Sequence, residues 1–195
     1  MQKSENTYTM NTSEKYKLAD LVVAHALQKG AKEVFVEIYD NRSNNIEIRD
    51  QKIDSLKESN RSGLSISLYV DNRYSSHSTN RMKEAELYKF VEEAIDATRY
   101  LAEDEFRSLP DPELYYQGGG QDLKIFDSGM DSVDAKTKID LAVSALNEAY
   151  QKDDRILSVS SYYFDSITNS VVVASNGFKG ESGNTNTGLY VTVSM

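Results

Sequence analysis

The sequence predicts an α+β fold: antiparallel sheets packed by helices, in two halves that each set a helix before a meander of strands. Three observations carry this. Leu64, Ile66, Leu68 and Val70 alternate with Ser65, Ser67 and Tyr69, the period-two pattern of a strand with one buried face and one polar face. Apolar residues recur at helical spacing in three separate stretches, beginning at Leu18, Leu87 and Ile139. The breaks between strand-like runs, such as Asp71-Asn72-Arg73, hold too few residues for the crossover helix that a parallel pair requires.

A polar lead-in runs to about Asn11. Thr12 or Ser13 is placed to cap a first helix whose apolar stripe is Leu18, Leu21, Val22 and His25, with Ala19, Val23 and Ala26 beside it, and Gly30 is placed to end it. Glu33–Asp40 is rich in β-branched and aromatic residues and reads as the first strand. Asn41–Asn45 reads as a turn and Ile46–Arg49 as the returning strand, with Ile53 and Leu56 as apolar anchors. A second turn falls over Glu58–Gly63, where the glycine tolerates backbone angles closed to other residues. After the central strand, Tyr74–Asn80 runs back as a short strand. Asn80 is placed to cap a second helix with Leu87, Phe90, Val91, Ala94, Thr98 and Leu101 on one face.

From Glu103 to Asp131, Pro110, Pro112, the run Gly118-Gly119-Gly120 and an acid excess mark a long surface connection. The expected division is therefore an amino-terminal half over 1–105, an acidic Pro/Gly linker over 106–131 and a second helix-plus-strands half over 132–195. Ser132 is placed to cap a third helix carrying Ile139, Ala142, Val143, Leu146, Ala149 and Tyr150. Strands over Arg155–Asp165, Ser170–Ser175, Phe178–Ser182 and Thr187–Met195 follow, separated in part by the hairpin signals Asn176-Gly177 and Gly183-Asn184. The shared order of helix then strands admits a structural duplication, though no residue-level repeat is evident along the chain. The last strand stops while still in pattern, as expected of a chain that continues into a further carboxy-terminal domain.

Composition narrows the function. A chain of 195 residues can bury a real core, and with no cysteine it has no disulfide, thiolate nucleophile or cysteine metal site. Met1–Thr7 lacks the apolar run of a signal peptide, and no later stretch approaches the roughly 18 apolar residues of a membrane span. A cytoplasmic protein with no membrane partner is expected. The net charge of −9 repels phosphate backbones, so no nucleic-acid partner is expected either.

The search for chemistry assigns no catalytic and no metal-binding residue and leaves the substrate-binding residues unknown. A hydrolytic zinc site draws its ligands from His, Asp, Glu or Cys, typically with two histidines one helical turn apart beside a glutamate base. The chain has only His25 and His77, on different elements and outside any such run. His25 reads as packed at the edge of a helix face and His77 as a strand residue near a helix entry. No Gly-x-Ser-x-Gly elbow positions a serine nucleophile. Gly177, Gly180 and Gly183 join strands rather than opening a helix, which favours turns over a phosphate loop. Asp153-Asp154 and Glu92-Glu93 read as surface charge. Tyr115-Tyr116 and Tyr162-Tyr163 pair an apolar body with a polar tip, which suits an interface, but half-buried core tyrosine is the favoured reading.

The succession Lys52–Ser59 (KIDSLKES), Ser62–Val70 (SGLSISLYV), Asn72-Arg73 and Ser76–Asn80 (SHSTN) resembles the amino-terminal domain of the TldD/PmbA family. The likeness extends to Ala94–Tyr100 (AIDATRY), Leu109–Pro112 (LPDP) and Asp154-Arg155-Ile156, while His77 stands where that family's serine-rich run would hold a small residue. The resemblance implies a cytoplasmic zinc metallopeptidase, linked to microcin maturation and once described as a modulator of DNA gyrase. It also implies that zinc sits in a catalytic TldD-type subunit, in a region beyond this one, with none held by this chain. Ala97–Tyr100 and Asp154–Ile156 are closer to the PmbA type, which lacks the metal ligands and pairs with a TldD-type partner.

Two functions follow. The chain is either the non-catalytic amino-terminal domain of a peptidase assembly that processes or degrades unfolded peptides, with a TldD-type partner subunit or self-association, or a stand-alone protein-binding or scaffold module with no peptidase association. In the first case an unfolded peptide could be held by strand addition to a free sheet edge.

Overall fold

The computed structural model describes residues 10–119 and 121–195. Most of the expected lead-in, and Gly120 of the expected glycine connector, lie outside the described residues. The elements follow as α1 (Thr12–Gln28), β1 (Glu33–Arg49), β2 (Lys52–Val70), β3 (Arg73–Thr79), α2 (Glu84–Thr98), α3 (Ala135–Asn147), β4 (Ser158–Ala174) and β5 (Lys179–Ser194). Short 3-10 turns at Pro112–Leu114 and Met130–Ser132 fall between α2 and α3. The strands form an antiparallel sheet in the order β3-β2-β1-β4-β5, which gives the expected α+β class with one sheet in place of several.

The strands run longer than the sequence predicts. The expected turns at Asn41–Asn45, Glu58–Gly63 and Gly183-Asn184 lie inside β1, β2 and β5, and the gap expected after Asp165 lies inside β4. Polar runs that suggest turns are instead satisfied sideways across the sheet. Asn41 donates to Thr168 and Asn44 to Asp165, each at 2.8 Å, while Ser62 donates to Asp40. The true reversals are Asp50-Gln51 and Asp71-Asn72, in which both residues take positive φ (44° and 67°, 49° and 57°), the twist that suits a two-residue hairpin. The Asn176-Gly177 signal does mark a hairpin, with Gly177 at φ 95°.

Two compact units divide the chain, and both are interleaved along it. The first takes the chain up to Asp40, Arg61–Asp122 and Asn169–Ser182; the second takes Asn41–Asn60, Leu123–Thr168 and Gly183–Met195.

In the first unit α1 and α2 cover one sheet face. Asn11, not Thr12 or Ser13, caps α1 in a reciprocal box with Glu14, because its carbonyl oxygen reaches the Glu14 N–H at 3.0 Å. The buried face of α1 is Lys15, Ala19, Val22, Val23 and Ala26, so the expected stripe is rotated and Leu21 stands 43% exposed. Gly30, at φ 100°, follows the helix end as expected. α2 starts at Glu84 behind Lys83, with no side-chain cap; Asn80 lies too far back. Its Leu87, Val91, Ala94 and Ile95 pack with Val34, Val36, Ile38, Leu64, Ile66 and Leu68, the last six fully buried. Beneath α1, Lys15 Nζ sits 2.5 Å from Asp40 Oδ2.

In the second unit Asp134, rather than Ser132, caps α3 by accepting from the Thr137 N–H at 2.7 Å. Ala142 and Leu146 of α3 pack against Ile46, Ile48, Val159 and Tyr163. Among the described residues no helix is long and apolar enough to cross a membrane.

Candidate functional site

Pleating sends alternate strand residues away from the helices. In the second unit this places Glu47, Ser55, Lys57, Tyr162, Phe164 and Tyr190 around a cavity of about 360 Å³. The Tyr162 and Tyr190 rings stack with centroids 4.7 Å apart, and the Tyr162 hydroxyl donates to Glu47 Oε1 at 2.9 Å. Arg49 donates to the same oxygen at 2.7 Å, and these two hydrogen bonds hold the Glu47 carboxyl below its usual range. Phe164 lies over Gly188, where a side chain would collide with the ring.

A cavity of about 590 Å³ in the first unit is lined by Tyr16, Tyr116, Val172, Phe178, Lys179 and Glu181. Tyr115 stacks on Phe178 with centroids 4.1 Å apart. Burial, with Glu181 nearby, pushes the Tyr16 hydroxyl pKa up. Each cavity thus sets aromatic faces beside one lysine and one glutamate, which suits stacking and hydrogen bonding to an incoming chain.

The tyrosine pairs separate. Both Tyr162 and Tyr163 border the cavity, but Tyr162 turns its ring to Tyr190 whereas Tyr163 is buried with its hydroxyl 2.9 Å from Asp165; Tyr115 is stacked whereas Tyr116 is 74% exposed. Phe178, Glu47 and Tyr190 escape sequence reasoning, because each meets its partner from another part of the chain. The one signal for Tyr190 is its alternation with Leu189 and Val191, which puts it on the face away from the helix.

The histidines both lie in the first unit and both have partners. His25 Nε2 is 3.0 Å from Glu92 Oε1, its ring stacks on Tyr88 at 4.2 Å, and Lys29 Nζ reaches the same carboxylate oxygen at 2.8 Å. His77 Nε2 is 2.9 Å from Ser75 Oγ, which in turn is 2.5 Å from Thr98 Oγ1, and burial pushes the His77 pKa down. Asp153 is clasped by Arg155 at 2.8 and 2.9 Å, and Glu93 faces Lys89 at 3.7 Å. Among the described residues no three His, Cys, Asp or Glu side chains converge as a metal site. The donor set therefore does not fit a hydrolytic zinc ion. Gly180 lies under the Phe178 ring in β5, and Gly177 sits in the hairpin.

Comparison with known proteins agrees with this architecture. Residues 34–98 match the model of PmbA/TldA metallopeptidase domain 1, and residues 130–195 match that of the PmbA/TldA metallopeptidase central domain. A metalloprotease PmbA homolog of Haemophilus influenzae is 28% identical over 123 residues, covering 63% of this chain and 27% of that protein. A crystal structure from Bacteroides thetaiotaomicron, of a protein described as a candidate modulator of DNA gyrase, is 42% identical with a TM-score of 0.88 over 94% of this chain and 42% of that one. TldE from Thermococcus kodakarensis shares the fold at 15% identity, with a TM-score of 0.72 over 90% of this chain and 39% of its own. The chain thus spans well under half the length of these relatives. With two family models matched in order over most of its residues, the chain belongs to the TldD/PmbA family.

Proposed function

We propose that this chain is a non-catalytic part of a TldD/PmbA-type metallopeptidase assembly that processes or degrades unfolded peptides, with the zinc held outside it. The observation that carries the reading is the state of the two histidines. His25 is committed to Glu92 and Tyr88, and His77 to Ser75, and both pack into the first unit. The aromatic cavities at Tyr162/Tyr190 and Tyr115/Phe178 then serve as side-chain surfaces for unfolded peptide. A TldD-type subunit is the expected catalytic partner. The stretch 106–131, all but its last two residues between the two family-matched regions, is read as the link between modules.

The test is to load the purified chain with zinc, remove the excess and assay unfolded peptides, with and without a TldD-type subunit. The chain alone is expected to keep no stoichiometric zinc and to cut nothing, and to raise cleavage when the subunit is added. Stoichiometric zinc with robust hydrolysis by this chain alone overturns the reading.

A further inference from the structure

The cavity of about 590 Å³ in the first unit holds a carboxylate that no neighbour neutralises. Its charged lining residues are Lys179 and Glu181. Lys179 Nζ is already committed, at 2.6 and 2.7 Å from the two carboxylate oxygens of Asp20. Glu181 has no ion-pair partner among the described residues. Its charge is felt at Tyr16, where burial first and Glu181 second push the hydroxyl pKa up against the smaller, opposite pull of Lys179. The walls beside that carboxylate are aromatic. Tyr16 comes from α1, Tyr116 from the stretch after α2 and Phe178 from the hairpin before β5. The Phe178 ring is fixed from two sides: Tyr115 stacks on it at 4.1 Å and 8°, and it lies over Gly180, where a Cβ would stand 2.9 Å from its Cζ. Three aromatic rings with an unpaired carboxylate among them hold a cation, because the ring quadrupoles and the negative charge pull the same way.

The second unit supplies the contrast. Its β1–β2 hairpin corresponds to the β4–β5 hairpin at a spacing of 125 residues: Val159 exchanges hydrogen bonds with Asp50 as Val34 does with Ser175, and Asp165 pairs with Lys138 as Asp40 does with Lys15. Glu47, Ser55 and Lys57 of its cavity therefore stand where Val172, Gly180 and Ser182 stand in the first. There the glutamate is taken up by Arg49 and Tyr162, and the Lys57 ammonium shares the cavity. In the first unit the corresponding positions are neutral and the lining lysine is tied to Asp20, so the rings and Glu181 stay available to a cation from outside. The net charge of −9 adds a field that draws cations to the chain.

We propose that this cavity is a subsite for a basic side chain of the unfolded peptide, arginine above all, which enters beside Tyr16, Tyr116 and Phe178 and pairs with Glu181. A guanidinium suits it better than an ammonium, because its plane stacks on aromatic rings and its fork takes both oxygens of a carboxylate. The inference rests on the reading of the cavity as a peptide surface and adds the chemistry of the residue it selects.

The test titrates the full chain with three dye-labelled unstructured peptides of one sequence, carrying arginine, glutamine or glutamate at a single position, and reads fluorescence anisotropy. The arginine peptide is expected to bind about tenfold or more tighter than the glutamine peptide, and the glutamate peptide weakest. Glu181→Gln and Tyr116→Ala, both at exposed positions, should each remove most of that preference. Glu93→Gln deletes the same charge on an exposed face of α2, outside the cavity, and should leave the preference intact. Equal binding of the three peptides overturns the basic subsite and leaves the cavity a peptide surface, whereas binding of none of them overturns both. A preference lost equally in Glu93→Gln and Glu181→Gln also overturns the subsite, because the overall charge of the chain would then be its cause.

Discussion

Lys138 Nζ lies 2.6 Å from Asp165 Oδ2, with the two side chains only 7% and 3% exposed. Tyr163 donates to the same oxygen at 2.9 Å and Asn44 to the other oxygen at 2.8 Å, so the aspartate is satisfied on both sides. Removing one partner of such a pair leaves a buried charge uncompensated, at a cost of about 3–5 kcal/mol, whereas an apolar pair of similar volume is often near neutral. In urea unfolding, Lys138→Met and Asp165→Leu are each expected to lose that amount, and the double variant to recover most of it. Additive losses in the double variant would mean that the ion pair is not what couples α3 to β4.

Asp165 also makes stability depend on pH. Burial pushes its carboxyl pKa up, and the bonds from Asn44, Lys138 and Tyr163 outweigh burial, so the net value lies below the ordinary 3.8. A carboxyl depressed in the folded state adds stability that is complete above its unfolded pKa and is lost as pH falls through the lower folded value. The urea-midpoint gap between the wild type and Asp165→Asn should therefore be full near about pH 7 and narrow below about pH 4. A constant gap across that range refutes the assignment.

How much of this was legible in the sequence depended on whether the deciding contact was local. The alternation of Leu64 to Val70 gives the central strand its face directly, and all four residues are 0% exposed. The same reasoning breaks β1 at Asn41–Asn45, because a polar run next to the chain's own neighbours looks like a turn, while its partners Thr168 and Asp165 lie more than a hundred residues away. The caps failed by one to three residues for a similar reason: several capping residue types stand side by side, and only backbone geometry selects Asn11 and Asp134. The cavities could not be foreseen, since Tyr162 finds Tyr190 and Glu47 only once three strands are aligned.

The face of the central strand gives a direct stability prediction. Ile66 is 0% exposed and sits in the first unit's core. Ile66→Asp places an unpaired charge there, at a cost on the order of several kcal/mol, and should unfold at least that unit. Circular dichroism and melting that match the wild type would show that the register of β2 is wrong.

The two cross-strand glycines make the closing prediction. A Cβ at Gly63 would lie 2.7 Å from the Tyr39 hydroxyl oxygen, and one at Gly188 would run into the Phe164 ring itself. Neither glycine has positive φ, so the conflict is one of space rather than of backbone conformation. Overpacking of this kind costs about 1–3 kcal/mol, and less where the obstructing atom can swing away. Gly63→Ala should therefore be the milder change, because its nearest approaches, 2.7 and 2.8 Å to the Tyr39 hydroxyl oxygen and Cζ, are longer than those to the Phe164 ring at Gly188. Gly188→Ala should cost more and should also disturb the Tyr162/Tyr190 cavity beside it. In a Phe164→Leu background most of the Gly188→Ala cost should vanish, a coupling of about 0.5–3 kcal/mol measurable by a double-mutant cycle in urea. If Gly188→Ala is as harmful with leucine at 164 as with phenylalanine, the ring is not what reserves that position for glycine.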